Sequence, residues 1–301
     1  MSTAPLPSLA DQPDWKQSGP EIVCPLCEYN LRGLTEPRCP ECGYRFVWRD
    51  LLDPDRRVHP YLFEHKHGLA PGAFLKTAFM NLRPRRFWTT LGPQQPSNPR
   101  RLMAYWAVVA CVGMAGIFGA YGLSELRAYL LPKAPAIMVT FRAARIRVPA
   151  GPPYEYQWKH ISQYLLLAAI LVAWPWFTFL GLMIFQISMR QAKVRPIHVL
   201  RGVLYASSVV FWAGLVSLAW YAGRAAMMSA MGVNSIRFHR YDALLFMIPT
   251  EIAFTACLEV AFSRYLRFPH ALATILSAQI IVALTVAAAI LFAQNITNWP
   301  P

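Results

Sequence analysis

Twenty-nine consecutive residues, Ile161 to Met189, carry no formal charge. They read ISQYLLLAAILVAWPWFTFLGLMIFQISM, with His160 just before and Arg190 just after. A helix rises about 1.5 Å per residue and a bilayer core is about 30 Å thick, so about 20 such residues cross it. In lipid a helix also satisfies its own backbone hydrogen bonds, which an open strand cannot do. This stretch therefore predicts a membrane-spanning helix with length to spare for tilt, bent near its middle by Trp174-Pro175-Trp176.

Composition extends that reading to the whole chain. Hydrophobic residues make up 55% and charged residues 15% of the 301, against about 25% charged in soluble proteins. Four more apolar stretches stand beside the first, so the predicted spans are Leu102–Leu123, Ile161–Met189, Gly202–Gly223, Ala243–Phe262 and Ala271–Ala293. The expected fold is an all-α polytopic membrane bundle of five transmembrane helices behind a small cytosolic zinc ribbon. The domain reading is a mobile tail over 1–20, a ribbon over 21–50, a juxtamembrane and interfacial segment over 51–101, the five-span domain over 102–293 and a short tail over 294–301. The opening twenty residues lack the basic start and apolar run of a signal peptide, so targeting is expected from the first span.

Charge and cysteine placement set the sidedness. Residues 102–301 hold 15 Lys/Arg and 5 Asp/Glu, an excess of ten, whereas residues 1–101 hold 14 and 10. The basic excess thus belongs to the membrane half, where anionic headgroups are the natural partner. Four of six cysteines lie between positions 24 and 42, while Cys111 and Cys257 sit inside apolar stretches. That clustering points to metal ligation in a reducing compartment, not to a disulfide framework. The basic residues of Arg83–Arg101, Arg190–Arg201 and Ser263–His270 form the denser short connections, which favours a cytosolic N-terminus and an outside C-terminus.

The strongest motif is Cys24-Pro25-Leu26-Cys27, then eleven residues, then Cys39-Pro40-Glu41-Cys42-Gly43-Tyr44. Each C-P-x-C is a tight turn that aims two thiolates at one point, and two such turns complete a closed tetrahedral site. Structural zinc is the expected metal, and iron in a rubredoxin-like knuckle pair fits the same ligands. Gly43 suits the left-handed conformation that follows the second ligand of such a turn, and Glu28 occupies the equivalent place after Cys27. A unit this small cannot bury a sufficient core without its metal.

The runs C-P-L-C-E-Y-N-L-R-G-L (Cys24 to Leu34) and R-C-P-E-C-G-Y-R-F (Arg38 to Phe46) resemble the N-terminal zinc ribbon of a group of uncharacterised bacterial membrane proteins. In that group the ribbon precedes a multi-helix membrane domain similar to the Yip1 family. The resemblance implies a structural zinc at Cys24, Cys27, Cys39 and Cys42 and a location in the bacterial inner membrane. It carries no trafficking role with it, because fold analogy does not transfer function.

Between ribbon and first span, His59, His65 and His67 beside Glu64 admit two readings, a second metal site or solvated and headgroup-facing side chains. Ala73–Leu82 presents Phe74, Ala78 and Leu82 with Leu75 and Phe79 on one helical face. Arg83, Arg85, Arg86, Phe87 and Trp88 follow, which suits a segment lying in an interface as well as one packed on the ribbon or bundle. In the first span, Ala115 with Gly119 and Gly116 with Ala120 are small pairs suited to close helix contact.

The fourth span is the exception among the five. Glu251, Thr255 and Glu259 stand at four-residue steps and share a helical face. A carboxyl at bilayer depth is costly and must face the bundle or water. Glu251 reads either as a protonated structural carboxyl or as part of a proton or ion path, and Pro249 frees a backbone carbonyl beside it. Glu259 lies near Arg264 and Arg267 and suits the headgroup level. The loop over 124–160 alternates apolar and basic residues in IMVTFRAARIRVP and then carries Tyr154, Tyr156 and Trp158, an interfacial aromatic belt.

No Ser/His/Asp order, HExxH, Walker A or G-x-G-x-x-G motif is present. The leading expectation is a non-enzymatic membrane scaffold or adaptor whose ribbon docks a cytosolic protein or the bundle itself. A transporter or channel using Glu251 is the alternative. Residues 21–50 hold four Arg and five Asp/Glu, the wrong sign for phosphate-backbone binding, so nucleic acid is set aside.

Overall fold

The computed structural model describes residues 22–53, 57–68, 70–130, 138–141, 144–147, 155–184, 194–230, 240–268 and 270–297. The expected tail over 1–20, Tyr154 of the aromatic belt and the end of the second predicted span, Met189, lie outside them.

The described chain is mostly helical. After the ribbon come a short helix α1 (Trp48–Leu52), then α2 (Pro71–Met80), α3 (Pro84–Thr90) and the long α4 (Pro99–Leu130). A two-stranded antiparallel hairpin, β1 (Met138–Phe141) and β2 (Ala144–Arg147), follows with Met138 opposite Arg147. It occupies the stretch whose alternating pattern stood out in the loop, an addition to the purely helical expectation. Next come α5 (Glu155–Ile184), α6 (Pro196–Ala206), α7 (Ser208–Ala230), α8 (Arg240–Val260), a π-helical turn (Ala261–Tyr265) and α9 (Ala271–Thr297). Helices α2, α3, α4 and α6 each begin on a proline, whose fixed φ suits the first turn and whose missing N–H is no loss there.

Four described stretches are long and apolar enough to cross a membrane: Pro99–Ala120, Pro196–Met227, Phe246–Tyr265 and Ala271–Ala289. A shorter apolar stretch, Ala169–Ile184, belongs to α5. Leu272, Leu276, Ile280 and Leu284 on α9 are exposed aliphatic side chains that water would penalise, and so, separately, are Ile248 and Ile252 on α8. Three predicted boundaries move. The third span, placed at Gly202–Gly223 behind Arg201, begins at Pro196 and is interrupted at Ser207. The fourth runs on into the π-turn, and the last continues to Thr297, so the first half of the expected tail over 294–301 is helix.

The chain divides into two compact units. One comprises 1–106, 175–206 and 254–301, the other 107–174 and 207–253. The first has an aromatic core: Phe63, Phe74, Phe87, Trp88, Tyr105, Tyr205 and Tyr265 are all buried, with ring centroids 5.1–6.0 Å apart in the Phe63–Phe74–Tyr105–Tyr205 group. Phe74, Thr77 and Ala78 of α2 face inward, whereas Leu75, Phe79 and Leu82 are exposed. The single apolar face predicted for this segment is thus split, Phe74 and Ala78 packing inward while the others stay exposed.

In the second unit α4 and α7 meet backbone to backbone. A Cβ on Gly116 would fall on the Gly214 backbone, and one on Gly214 would lie 2.7 Å from Gly113 Cα. The close row is therefore Gly113 and Gly116. Gly119, from the predicted Ala115/Gly119 pair, would meet only Leu218 Cδ1 at 3.6 Å. Gly116→Ala must separate the helices and should cost about 1–3 kcal/mol. Gly119→Ala gains helix propensity of about 1 kcal/mol without a clash. Thermal unfolding in detergent should accordingly rank Gly116→Ala below and Gly119→Ala at or above the parent. Equal melting temperatures for the two variants would refute the close crossing.

Candidate metal centre and the buried ion pair behind it

The two halves of the ribbon repeat one backbone pattern. Cys24 N–H donates to Tyr29 O and Glu28 N–H to Cys24 O, at 2.8 and 2.9 Å. Cys39 N–H donates to Tyr44 O and Gly43 N–H to Cys39 O, at 2.9 and 3.0 Å. Isolated bridges Val23–Asn30 and Arg38–Arg45 close the turns. Each turn needs a left-handed residue after its second cysteine, and both Gly43 (φ 70°) and Glu28 (φ 64°) adopt it. Behind the knuckles, Leu26, Leu31, Phe46 and Trp48 are buried, and the Phe46 and Trp48 rings meet edge-on at 4.8 Å.

The four sulfurs converge as the spacing predicts. Cys24 Sγ lies 3.6 Å from Cys42 Sγ, Cys27 Sγ lies 3.5 Å from Cys39 Sγ, and all four fall within 4.8 Å of one another. A tetrahedral ion with metal–sulfur bonds of about 2.3 Å has sulfur–sulfur edges of about 3.8 Å, so the set fits a four-coordinate metal. All six cysteines are free thiols. The electrostatics favour the same conclusion. The Cys24 thiol is drawn down to about 5 by its hydrogen bond from Cys42. Burial pushes Cys27 up to about 12, and the bond to Cys24 followed by burial pushes Cys42 higher still. One thiolate thus forms readily while its neighbours resist ionising beside it. A dication in their midst removes that conflict.

The first knuckle is anchored to α6. Arg195 N–H donates to Leu26 O at 3.0 Å, His198 Nε2 meets Pro25 O at 2.7 Å, and His198 Nδ1 meets Tyr265 Oη at 2.7 Å. A carbonyl only accepts, so Nε2 carries the imidazole proton and Nδ1 accepts from the Tyr265 hydroxyl. Tyr265 Oη in turn accepts from Arg201 Nη1 at 3.2 Å. The exposed Arg195–Glu28 ion pair, at 3.0 Å, adds little by comparison. The second knuckle reaches the loop after α3 through Tyr44 Oη, which donates to Gln94 Oε1 at 2.9 Å.

Arg201 and Glu64, both with fully buried side chains, pair at 2.8 Å. Arg201 Nε also donates to Glu64 Oε2 at 2.9 Å, and Nη1 donates to Gln95 O at 3.0 Å. The carboxylate accepts further from Tyr205 Oη at 3.1 Å and from Asn98 N–H at 2.6 Å. Asn81 Nδ2 donates to Tyr205 O. Arg201, read from the sequence as the charge flanking a span, is therefore interior. Its partner is 137 residues away, and no local pattern signals the pairing.

The histidines do not assemble a second metal site. Among the described residues the four cysteines are the one group with metal-ligand geometry. His59 N–H donates to His65 Nδ1 at 2.7 Å, so His65 Nε2 bears the proton that reaches Pro96 O at 3.0 Å. His67 is exposed. Glu251, Thr255 and Glu259 are each half-buried, and Glu251 Oε2 is buried without a hydrogen-bond partner among the described residues. Comparison with protein-family models, with curated proteins and with solved structures finds no match.

Two expectations follow from this geometry. Glu28→Gly relieves left-handed strain of about 1–2 kcal/mol and gives up an exposed ion pair worth about 0–1 kcal/mol, so ribbon stability should hold or rise. Gly43→Ala introduces that strain and should lower it; protease resistance of the metal-loaded ribbon in the full chain reads both. His59 is held neutral, pushed down to about 4 by burial, then by His65 and Arg201. An unfolded histidine titrates near 6.5. The unfolded chain therefore binds more protons between those values, and stability present above pH 6.5 should fall towards pH 4, by no more than about 3 kcal/mol. His59→Phe should flatten that part of the stability–pH curve, and an unchanged slope would remove His59 as its origin.

Proposed function

We propose that this chain is a five-span integral protein of a bacterial cytoplasmic membrane, N-terminus in and C-terminus out, whose ribbon carries a structural zinc. Its function in this reading is non-enzymatic: the ribbon is a rigid head that presents a docking surface to a cytosolic protein. The observation that carries the proposal is the anchoring of the first knuckle to α6 through Pro25 O and Leu26 O. A head fixed at two backbone carbonyls holds one orientation, which suits presentation of a surface. The exposed Arg38, Pro40 and Glu41 of the second knuckle supply that surface. The aliphatic exteriors of α8 and α9 support the membrane placement, and the exposed Leu75, Phe79 and Leu82 beside Arg83, Arg85 and Arg86 support contact with a headgroup layer.

The unpartnered Glu251 Oε2 favours a second reading, transport through an intramembrane carboxylate. Three measurements separate the possibilities. Metal analysis of protein purified without added metal should give one zinc per chain; iron with thiolate charge-transfer bands would make the centre rubredoxin-like. Cysteine labelling at Ser2 and Asn298 should occur from opposite faces, and reaction of both from one face would reject five spans. A photo-crosslinking residue at Glu41 should trap a discrete protein adduct in native membranes that Cys39→Ser abolishes. An adduct unaffected by Cys39→Ser would overturn the ribbon as the docking head. Glu251→Gln should keep cellular function in the adaptor reading; a folded Gln variant that behaves as the deletion would favour transport.

A further inference from the structure

A cavity of about 510 Å³ opens beside the ribbon, within the first unit. Tyr44 of the second knuckle, Trp88 and Thr89 of α3, Gln94 and the turn Ser263–Arg267 line it. Its size falls in the range of small-molecule sites, about 300–1,000 Å³. It differs from an ordinary groove in charge and in unmet hydrogen bonding. Arg264 and Arg267 line it, no carboxylate does, and neither arginine forms an ion pair among the described residues. Trp88, 1% exposed, is part of the wall, and its indole Nε1 is buried without a hydrogen-bond partner among the described residues. Tyr44 donates to the Gln94 amide oxygen across one side, which leaves the two guanidinium groups as the charged donors of the cavity.

The backbone holds Arg267 there at a cost. Its φ is 55°, a conformation normally left to glycine after a helix, fixed by Leu266 N–H donating to Ala261 O and Phe268 N–H to Phe262 O. A left-handed arginine stores about 1–3 kcal/mol, and such strain recurs at ligand clamps. The guanidinium lies 5.9 Å from the Tyr44 ring centroid, leaving its planar donor edge for an anion.

We propose that this cavity binds a phosphate-bearing ligand of headgroup size, with the phosphate oxygens held by Arg264 and Arg267 and the remainder seated against Tyr44 and Trp88. A guanidinium fork binds phosphate oxygens bidentately, and two of them match the double charge that sets a phosphate apart from a carboxylate. The turn joins the stretch ending at Tyr265 to the helix beginning at Ala271, both apolar enough to enter a membrane. A phospholipid headgroup and a soluble phosphorylated polyol are the two sources of that chemistry. The lipid source rests on the membrane reading above, whereas the soluble source does not.

The test uses the full chain in a neutral detergent, with dihexanoyl-phosphatidylglycerol and glycerol 3-phosphate as probes, read by native mass spectrometry and calorimetry. Arg264→Gln/Arg267→Gln removes both charges at exposed positions, where folding is expected to survive. Binding of whichever probe the parent retains should weaken at least roughly ten-fold. Arg85→Gln/Arg86→Gln, outside the cavity, should leave it within about two-fold. Retention of the lipid probe alone identifies a headgroup site. Retention of glycerol 3-phosphate identifies a soluble ligand and leaves the site standing even if the membrane reading fails. Binding that is unchanged by the Arg264/Arg267 pair, or lost equally with Arg85/Arg86, would overturn the proposal, as would failure of the parent to bind either probe.

Discussion

The first structural unit depends on one interaction, the buried pair of Glu64 and Arg201. Removing two charges from water costs several kcal/mol per ion even after relaxation. Here the cost is offset by geometry. Glu64 accepts from Arg201, Tyr205 and the Asn98 backbone, and Arg201 donates to Glu64, Tyr265 and the Gln95 carbonyl. Such a cluster contributes little net stability against an apolar substitute, yet losing one partner costs about 3–5 kcal/mol because a bare charge stays behind. It therefore acts through specificity: the segment before α2, the loop before α4 and helix α6 fit together in one register, and a slipped arrangement strands an ion.

The same pair reaches the first cysteine turn by a directed line of hydrogen bonds. Arg201 donates to Tyr265, Tyr265 to His198, and His198 to the carbonyl between Cys24 and Cys27. Every donor in that line has one orientation open to it once Arg201 is charged and Pro25 is an acceptor. Polarised chains of this kind strengthen each member in a low-dielectric interior. Ribbon and ion pair are thus parts of one polar framework set in an aromatic core.

The legibility of these features in the sequence follows their range along the chain. The convergence of the four cysteines was readable because each pair sits within one four-residue turn, and the left-handed requirement after it falls on Gly43 and Glu28 alike. The long apolar helices were readable from their lack of charge. Arg201 was misplaced because a single arginine beside an apolar run looks the same whether lipid or a carboxylate lies next to it. Only the fold brings Glu64 across 137 residues. The left-handed Arg267 left no mark of its own, since Pro269 signals only that a helix ends nearby and no glycine stands at the turn. Of the two predicted small pairs, Gly116 does stand in the close helix contact, and because small residues were plentiful, packing set Gly113 beside it where the pattern had offered Ala120.

The separation of Pro25 from His198 by 173 residues also sets an order of events during synthesis. At about 5–20 residues per second, the cysteine turns leave the ribosome on the order of ten to thirty seconds before the helix that will hold them. For that interval the ribbon has neither its anchor nor a core large enough to stand alone. With a metal at the four cysteines, as proposed, the supply of metal ions to a nascent chain then decides whether the ribbon waits folded or exposes four thiols to oxidation.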